Sequence, residues 1–266
     1  MKNITKALRK GDLVVGTCCD ISDPSVVEIV GRCGWDFVII NAEGGTVSPF
    51  GAELENMIRA AYAVDVTPVV KIPENNAAMI ATCVKLGAKA VEVPKITTGE
   101  DARRAVDAAK YPPLGGRMTC WGVHATRYGE QGWAEHIAEA NDEITILAVL
   151  EEQAAYEEHM DDILDVEGLE VVLIGWYDLE LRIGGVGDPK VAKQMNEYRR
   201  KLYTRAREKN VAILQFVADP EALTEAAAMG AGGFFFAQDD MTMLRNASTH
   251  WATELKKAIK QCQASR

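Results

Sequence analysis

Short, almost wholly apolar runs alternate along this chain with longer stretches of helical period. Eight runs stand out: Val14–Thr17, Phe37–Ile40, Val69–Lys71, Ala90–Val93, Ile146–Leu150, Val171–Ile174, Ala212–Phe216 and Gly233–Phe236. Strands buried on both faces read this way, because neither side of the sheet meets water. Between them, Pro24–Cys33, Ala52–Val64, Ala77–Leu86, Glu100–Ala109, Ala154–Leu164, Pro189–Lys209 and Pro220–Met229 carry a helical pattern. The alternation predicts βα units on a parallel sheet. Helix punctuation agrees. Asp23-Pro24 and Asp219-Pro220 set a capping Asp before a Pro suited to the first helical position. Gly34, Gly87 and Gly230 each follow a helical stretch, where a left-handed cap is common. Eight strands favour a closed (β/α)8 TIM barrel over residues 1–266, with an open doubly wound sheet as the second reading.

Two segments fall outside this rhythm. Tyr111–Trp133 is rich in Gly, Pro and aromatic residues and has no clean period. A long irregular loop inside a compact domain is often functional, and a structural excursion before the fifth strand is the competing reading. The stretch Met241–Gln263 is helical in pattern and carries Trp251 and Leu255 on a potential contact face.

Composition narrows the class. A chain of 266 residues suits one α/β barrel domain. The formal net charge of −10 gives no general attraction to phosphate backbones, so no nucleic-acid partner is expected. No apolar run approaches the ~20 residues of a membrane helix, so no membrane partner is expected either. The six cysteines form no C-x-x-C pair. Scattered thiols fit a reducing compartment. With no apolar stretch after the basic start, they predict a cytoplasmic protein.

Barrels of this kind place their chemistry at the C-terminal ends of the strands. Strand two ends in Asn41-Ala42-Glu43, strand three in Lys71, strand five in Glu151-Glu152 and strand six in Gly175-Trp176-Tyr177-Asp178. Glu151 and Asp178, on neighbouring strands, are expected to converge on one mouth. Hard cations such as Mg2+ and Mn2+ take oxygen ligands of this kind. The competing reading is that both carboxylates cap the following helices. Lys71 could neutralise a substrate carboxylate or a developing enolate. His124, in the irregular loop, is the histidine expected near the mouth, against the alternative of a loop residue without a role. Glu43 could serve as a base.

These residues sit in motifs that resemble the HpcH/HpaI aldolase/citrate lyase family. DFVIINAEGG resembles its strand-two segment, and PVVK its strand-three segment. AVEVPKITTGEDARRAV with KYPPLGGR resembles its VP…YPP-x-G-x-R signature. LAVLEEQAA and DVEGLEVVLIGWYDLELRIG resemble its two metal-ligand segments. The resemblance implies a divalent-metal-dependent aldolase that cleaves a 4-hydroxy-2-oxo acid to pyruvate and an aldehyde. Glu151 and Asp178 would hold the ion. Backbone N–H groups of Gly175, Trp176 and Tyr177 would hold the oxo-acid carboxylate, and an enolate would be stabilised by the metal as Lewis acid. It also implies a homo-oligomer, a hexamer built from dimers that exchange C-terminal helices. The chain departs from the family at several points. Asn41 and Gly44 stand where the family has an Asp and a His acting as a dyad. Lys71 stands where it has Arg, whose bidentate grip Lys lacks. Trp176 and Tyr177 replace small residues. A condensing or decarboxylating enzyme and a non-catalytic oxo-acid-binding barrel therefore remain as alternatives.

Overall fold

The computed structural model describes residues 1–44 and 47–264. Eight parallel strands close into a barrel: β1 (Val14–Cys19), β2 (Phe37–Asn41), β3 (Thr67–Lys71), β4 (Ala90–Val93), β5 (Thr145–Leu150), β6 (Val171–Ile174), β7 (Ala212–Val217) and β8 (Gly233–Phe236). Each expected strand is present, a few one or two residues longer than its apolar run. Closure is made by β1 pairing with β8, Val14 opposite Gly233 and Gly16 opposite Phe235, which excludes the open sheet.

Alternation along each strand divides the apolar residues between two cores, because successive side chains point to opposite faces. Cys18, Phe37, Ile39, Val69, Ala90, Leu147, Val149, Val171, Leu173 and Leu214 fill the barrel interior. Helix α1 (Ile4–Arg9) closes its N-terminal end with Ile4 and Ala7. The larger core lies between the strands and the surrounding helices. Gly16 faces the interior where the Phe37 ring passes, and a Cβ there would come within 2.3 Å of that ring.

The helices start and stop for local reasons. Asp23 caps α2 (Pro24–Arg32) and Asp219 caps α11 (Pro220–Met229), each before a Pro in the first turn. Gly87 and Gly230 end α4 (Ala77–Leu86) and α11 in left-handed conformation, with φ of 108° and 114°. Thr98 and Asp101 form a reciprocal capping box on α5 (Gly99–Ala109). The stretch expected as one helix over Ala154–Leu164 is two short ones, α7 (Gln153–Glu157) and α8 (Met160–Leu164). Helix α3 spans Ala52–Ala63, α6 Trp133–Glu143, α9 Trp176–Ile183 and α10 Pro189–Glu208. The final helix, α12 (Asp240–Ala264), leaves the barrel. Every residue from Leu244 to Ala264 is exposed. No helix among the described residues is long and apolar enough to cross a membrane.

The irregular segment 111–133 follows helix α5 and leads through helix α6 into β5, so it lies at the N-terminal end of the barrel. Asn141 of α6 pins it by exchanging hydrogen bonds with the Tyr111 backbone, 2.7 Å and 3.0 Å. The Arg117 guanidinium lies over the Tyr111 ring, 4.5 Å from its centre.

Candidate active site at the barrel mouth

The C-terminal ends of β2 to β6 bring a belt of polar groups onto the inner wall. Asn41 on β2 is the register partner of Lys71 on β3, and Lys71 is the register partner of Glu92 on β4. Partnered residues of parallel strands face the same way, so these three side chains form a row. The Lys71 ammonium is 2.5 Å from Glu43 Oε2 and 3.9 Å from Glu92 Oε1. Burial alone would lower the Lys71 pKa, but the charges of Glu92 and Glu43 hold it above the ordinary lysine value.

Glu151 directly follows β5 and is 6% exposed. Its Oε1 accepts a 3.0 Å hydrogen bond from the backbone N–H of Lys95, which sits in the left-handed region just past β4. Burial raises the Glu151 pKa first, and the Asp178 charge raises it further. Its neighbour Glu152 turns the other way, to Arg182 at 2.9 Å. Gly175 makes room for Glu151: a Cβ on Gly175 would stand 2.7 Å from the Glu151 Cβ and 3.0 Å from its Oε2.

Asp178 is exposed in the first turn of α9. Gly175 begins that helix without a side-chain cap, so its first-turn N–H groups carry the partial positive charge of a helix N-terminus at the mouth. Tyr177 is 66% exposed and packs edge-on to Phe216 of β7, 5.5 Å between ring centres. The Trp176 side chain goes outward instead. It joins the outer core and lies 6.0 Å from the Arg199 guanidinium on α10, so its backbone is its one approach to the mouth.

A neighbouring negative charge thus adds to the cost of ionising Glu151, a cost that a cation between the two carboxylates would relieve. The donor set fits a divalent ion: two carboxylates from adjacent βα units, one nearly buried and oriented by a backbone N–H, the other open to solvent. A second acidic group at the same mouth, Asp20, Asp239 and Asp240, has its carboxylate oxygens within 4.8 Å of one another. Their oxygens already have partners: Asp20 accepts from the Asn41 amide, and Asp239 and Asp240 serve the backbone. Asp240 accepts from the N–H groups of Asp20, Ile21 and Met241. Asp239 accepts from Thr242 N–H.

Of the residues singled out in the sequence, Glu43, Lys71, Glu151, Gly175, Tyr177 and Asp178 all lie at this mouth. His124 does not, which corrects the expectation placed on it. It sits in a turn at His124–Gly129, with its ring edge-on to Tyr62 at 4.7 Å and its Nδ1 where a Cβ on Gly87 would fall. Gly87 ends α4 just ahead of β4, at the opposite end of the barrel from Lys71 and Glu151. There His124 lines a separate cavity of about 530 Å3 with Tyr62, Arg127 and Tyr128. Asn41, at the position of the family's Asp, shapes the loop: its Oδ1 accepts from Glu43 and Gly44 N–H, 3.0 Å each, and its amide donates to Asp20. Cys18 is a buried thiol whose pKa is pushed well up, first by burial and then by Asp20, as an inert core group would be.

The sequence reading passed over Glu92. Its signal was present: a carboxylate inside the four-residue buried run AVEV, at the position paired with Lys71.

The model of the HpcH/HpaI aldolase/citrate lyase family matches residues 19–247, a span holding every residue placed at the mouth. The chain belongs to the HpcH/HpaI aldolase/citrate lyase family. It is an aldolase-type lyase of the metal-dependent kind. Among its relatives, a hydroxypyruvate/pyruvate aldolase of Sagittula stellata is 31% identical over 243 residues, covering 91% of this chain and 93% of that one. A 2-keto-3-deoxy-L-rhamnonate aldolase of Klebsiella pneumoniae is 32% identical over 232 residues, covering 85% and 83%. The crystal structure of an HpcH/HpaI aldolase from Desulfitobacterium hafniense superposes with a TM-score of 0.85 at 30% identity, covering 94% of this chain and 95% of that one.

Proposed function

We propose that this HpcH/HpaI member cleaves a 4-hydroxy-2-oxo acid to pyruvate and an aldehyde at the mouth lined by Glu151, Asp178 and Lys71. The observation that carries the reading is the approach of Glu151 and Asp178, close enough for the Asp178 charge to disfavour ionisation of a nearly buried Glu151. We assign them as ligands of Mg2+ or Mn2+. Such an ion, when bound, would supply Lewis-acid stabilisation of a pyruvate enolate. The chain's own groups do the rest. The open N–H groups of α9 at Trp176 and Tyr177 bind the oxo-acid carboxylate, as helix N-termini bind anions. Lys71, on the facing wall, adds a fixed positive charge that attracts the same carboxylate. Glu43, at the rim and in contact with Lys71, is the group within reach to exchange a proton with bound substrate. Tyr177 over Phe216 narrows the entry on one side and so acts on the size of the aldehyde portion.

The test is exchange of the pyruvate methyl protons in deuterated water, followed by NMR. Added Mn2+ or Mg2+ should support exchange in the wild type and not in a Glu151→Gln, Asp178→Asn double variant. Absence of exchange with every divalent ion would remove pyruvate as the carbon nucleophile.

We also propose that the chain works as a homo-oligomer in the cytoplasm, a setting that its six unpaired thiols support. Helix α12 supports the assembly. Leu244, Trp251, Leu255 and Ile259 repeat at helical spacing along a helix that its own barrel leaves uncovered, and exposed apolar stripes of this kind mark contacts. Exchange of α12 between two subunits would cover the stripe, and a hexamer built from such dimers is the assembly proposed.

A further inference from the structure

Glu92 has no task in the reading above, yet it occupies a position where a carboxylate is costly. It is 2% exposed, and its Oε2 is buried with no hydrogen-bond partner. Buried charges persist when paired. The charged and titratable groups facing it are Lys71 of β3, Glu43 of the loop after β2, Glu151 just past β5 and the Cys18 thiol of β1. Lys71 is the cation in that set. Its ammonium is 3.9 Å from Glu92 Oε1, and the β3–β4 register makes the two residues direct partners.

Lys71 needs such a partner. An arginine fork is a rigid plane that orients itself on a carboxylate, whereas a lysine is a point charge on a flexible four-carbon stem. Its two acidic neighbours differ in kind. The Glu43 side chain is 37% exposed and screened by water, so an incoming anion can displace it. The Glu92 side chain is 3% exposed and fixed within a strand, so an incoming anion cannot.

We propose that Glu92 is a positioning residue for Lys71, anchoring the ammonium group from inside the barrel so that it meets the substrate carboxylate once Glu43 gives way. This rests on the oxo-acid reading of the mouth. It also assigns Lys71 an electrostatic part. A lysine at a strand end could in principle form a Schiff base with an oxo acid, but that requires the neutral amine. The carboxylates around Lys71 favour the ammonium form.

The test separates the two residues' roles without relying on catalysis. Metal-free wild type, Glu92→Gln and Glu92→Leu proteins are treated with acetic anhydride across pH 7–10. Acetylation of Lys71, whose side chain is 28% exposed, is followed by peptide mass spectrometry against the open Lys193 as internal standard. Loss of Glu92 should raise the relative labelling of Lys71 about tenfold at fixed pH, the change that a one-unit fall in its pKa brings. The Leu variant restores an apolar wall and guards against a Gln variant that does not fold. In the metal-loaded enzyme the same variants should raise KM for the oxo acid about tenfold with kcat changed less than threefold, as loss of uniform anion binding does. Labelling equal to wild type in both folded variants would overturn the inference, whatever the effect on KM. Increased labelling in a protein that shows no exchange of pyruvate protons would leave Lys71 positioned by Glu92 and would overturn the aldolase reading instead.

Discussion

At the residue scale, the mouth depends on where a side chain is missing as much as on those present. Gly175→Ala would add a methyl group 2.7 Å from the Glu151 Cβ, and overpacking of this kind costs typically 1–3 kcal/mol. Part of that cost would be met by moving Glu151 off the Lys95 N–H. Isothermal titration should therefore show Mn2+ affinity lowered about tenfold or more in Gly175→Ala, with the barrel still folded, and an unchanged affinity would remove Gly175 from the site. Glu92 makes a prediction of the opposite sense with pH. Burial pushes its pKa up from 4.5 to about 7, partly offset by Lys71. The folded state thus favours the neutral carboxyl. That stabilising contribution is fully present below pH 4.5 and is lost as pH rises through about 7. Relative to Glu92→Gln, the metal-free wild type should lose about 3 kcal/mol of unfolding free energy over this window, read from urea titrations at several pH values. Parallel curves for the two proteins would show that Glu92 keeps its charge throughout. Lys71, Glu151 and Asp178 were legible in the sequence because each ends an apolar run with a charge. Glu92 was hidden because it interrupts one, and a four-residue strand is too short for a single polar residue to break the pattern.

At the scale of elements, the eight strands were readable almost to the residue, because burial on both faces leaves a continuous apolar signature that loops do not share. The irregular segment 111–133 was also visible, but its place was not. Composition marks a loop as unusual without saying which end of the barrel it serves. Chain order decides that: a segment that leaves a barrel helix starts at the N-terminal end, and so His124 lies against Gly87. Periodicity likewise found α12 but not its isolation, since a stripe facing its own barrel and a stripe facing another subunit look alike in one sequence. The structure leaves Trp251 and Leu255 63% and 62% exposed. Trp251→Asp with Leu255→Asp should therefore shift Tm by no more than a few degrees if α12 carries no barrel contacts of its own, while light scattering should show the wild-type assembly falling to a smaller species. An unchanged mass would remove α12 from the interface.

At the scale of the whole molecule, the metal site proposed at the acidic mouth would link metal binding to folding. Glu151 and Asp178 come from successive βα units and meet only when the barrel has closed, so an ion that needs both binds the native state and not the unfolded chain. At free metal a hundredfold above Kd, that linkage adds about 2.7 kcal/mol. For a chain of this size each kcal/mol moves Tm by roughly 2–4 °C, so saturating Mn2+ should raise Tm by about 5–10 °C. The Glu151→Gln, Asp178→Asn protein should show no such rise. It should match or exceed the wild type without metal, because its like-charge pair is gone. Scanning calorimetry of both proteins with and without Mn2+ distinguishes the two acidic groups of the mouth. An equal rise in both would move the binding site to Asp20, Asp239 and Asp240, and the oxygens of Asp239 and Asp240 would then have to leave the backbone N–H groups they hold.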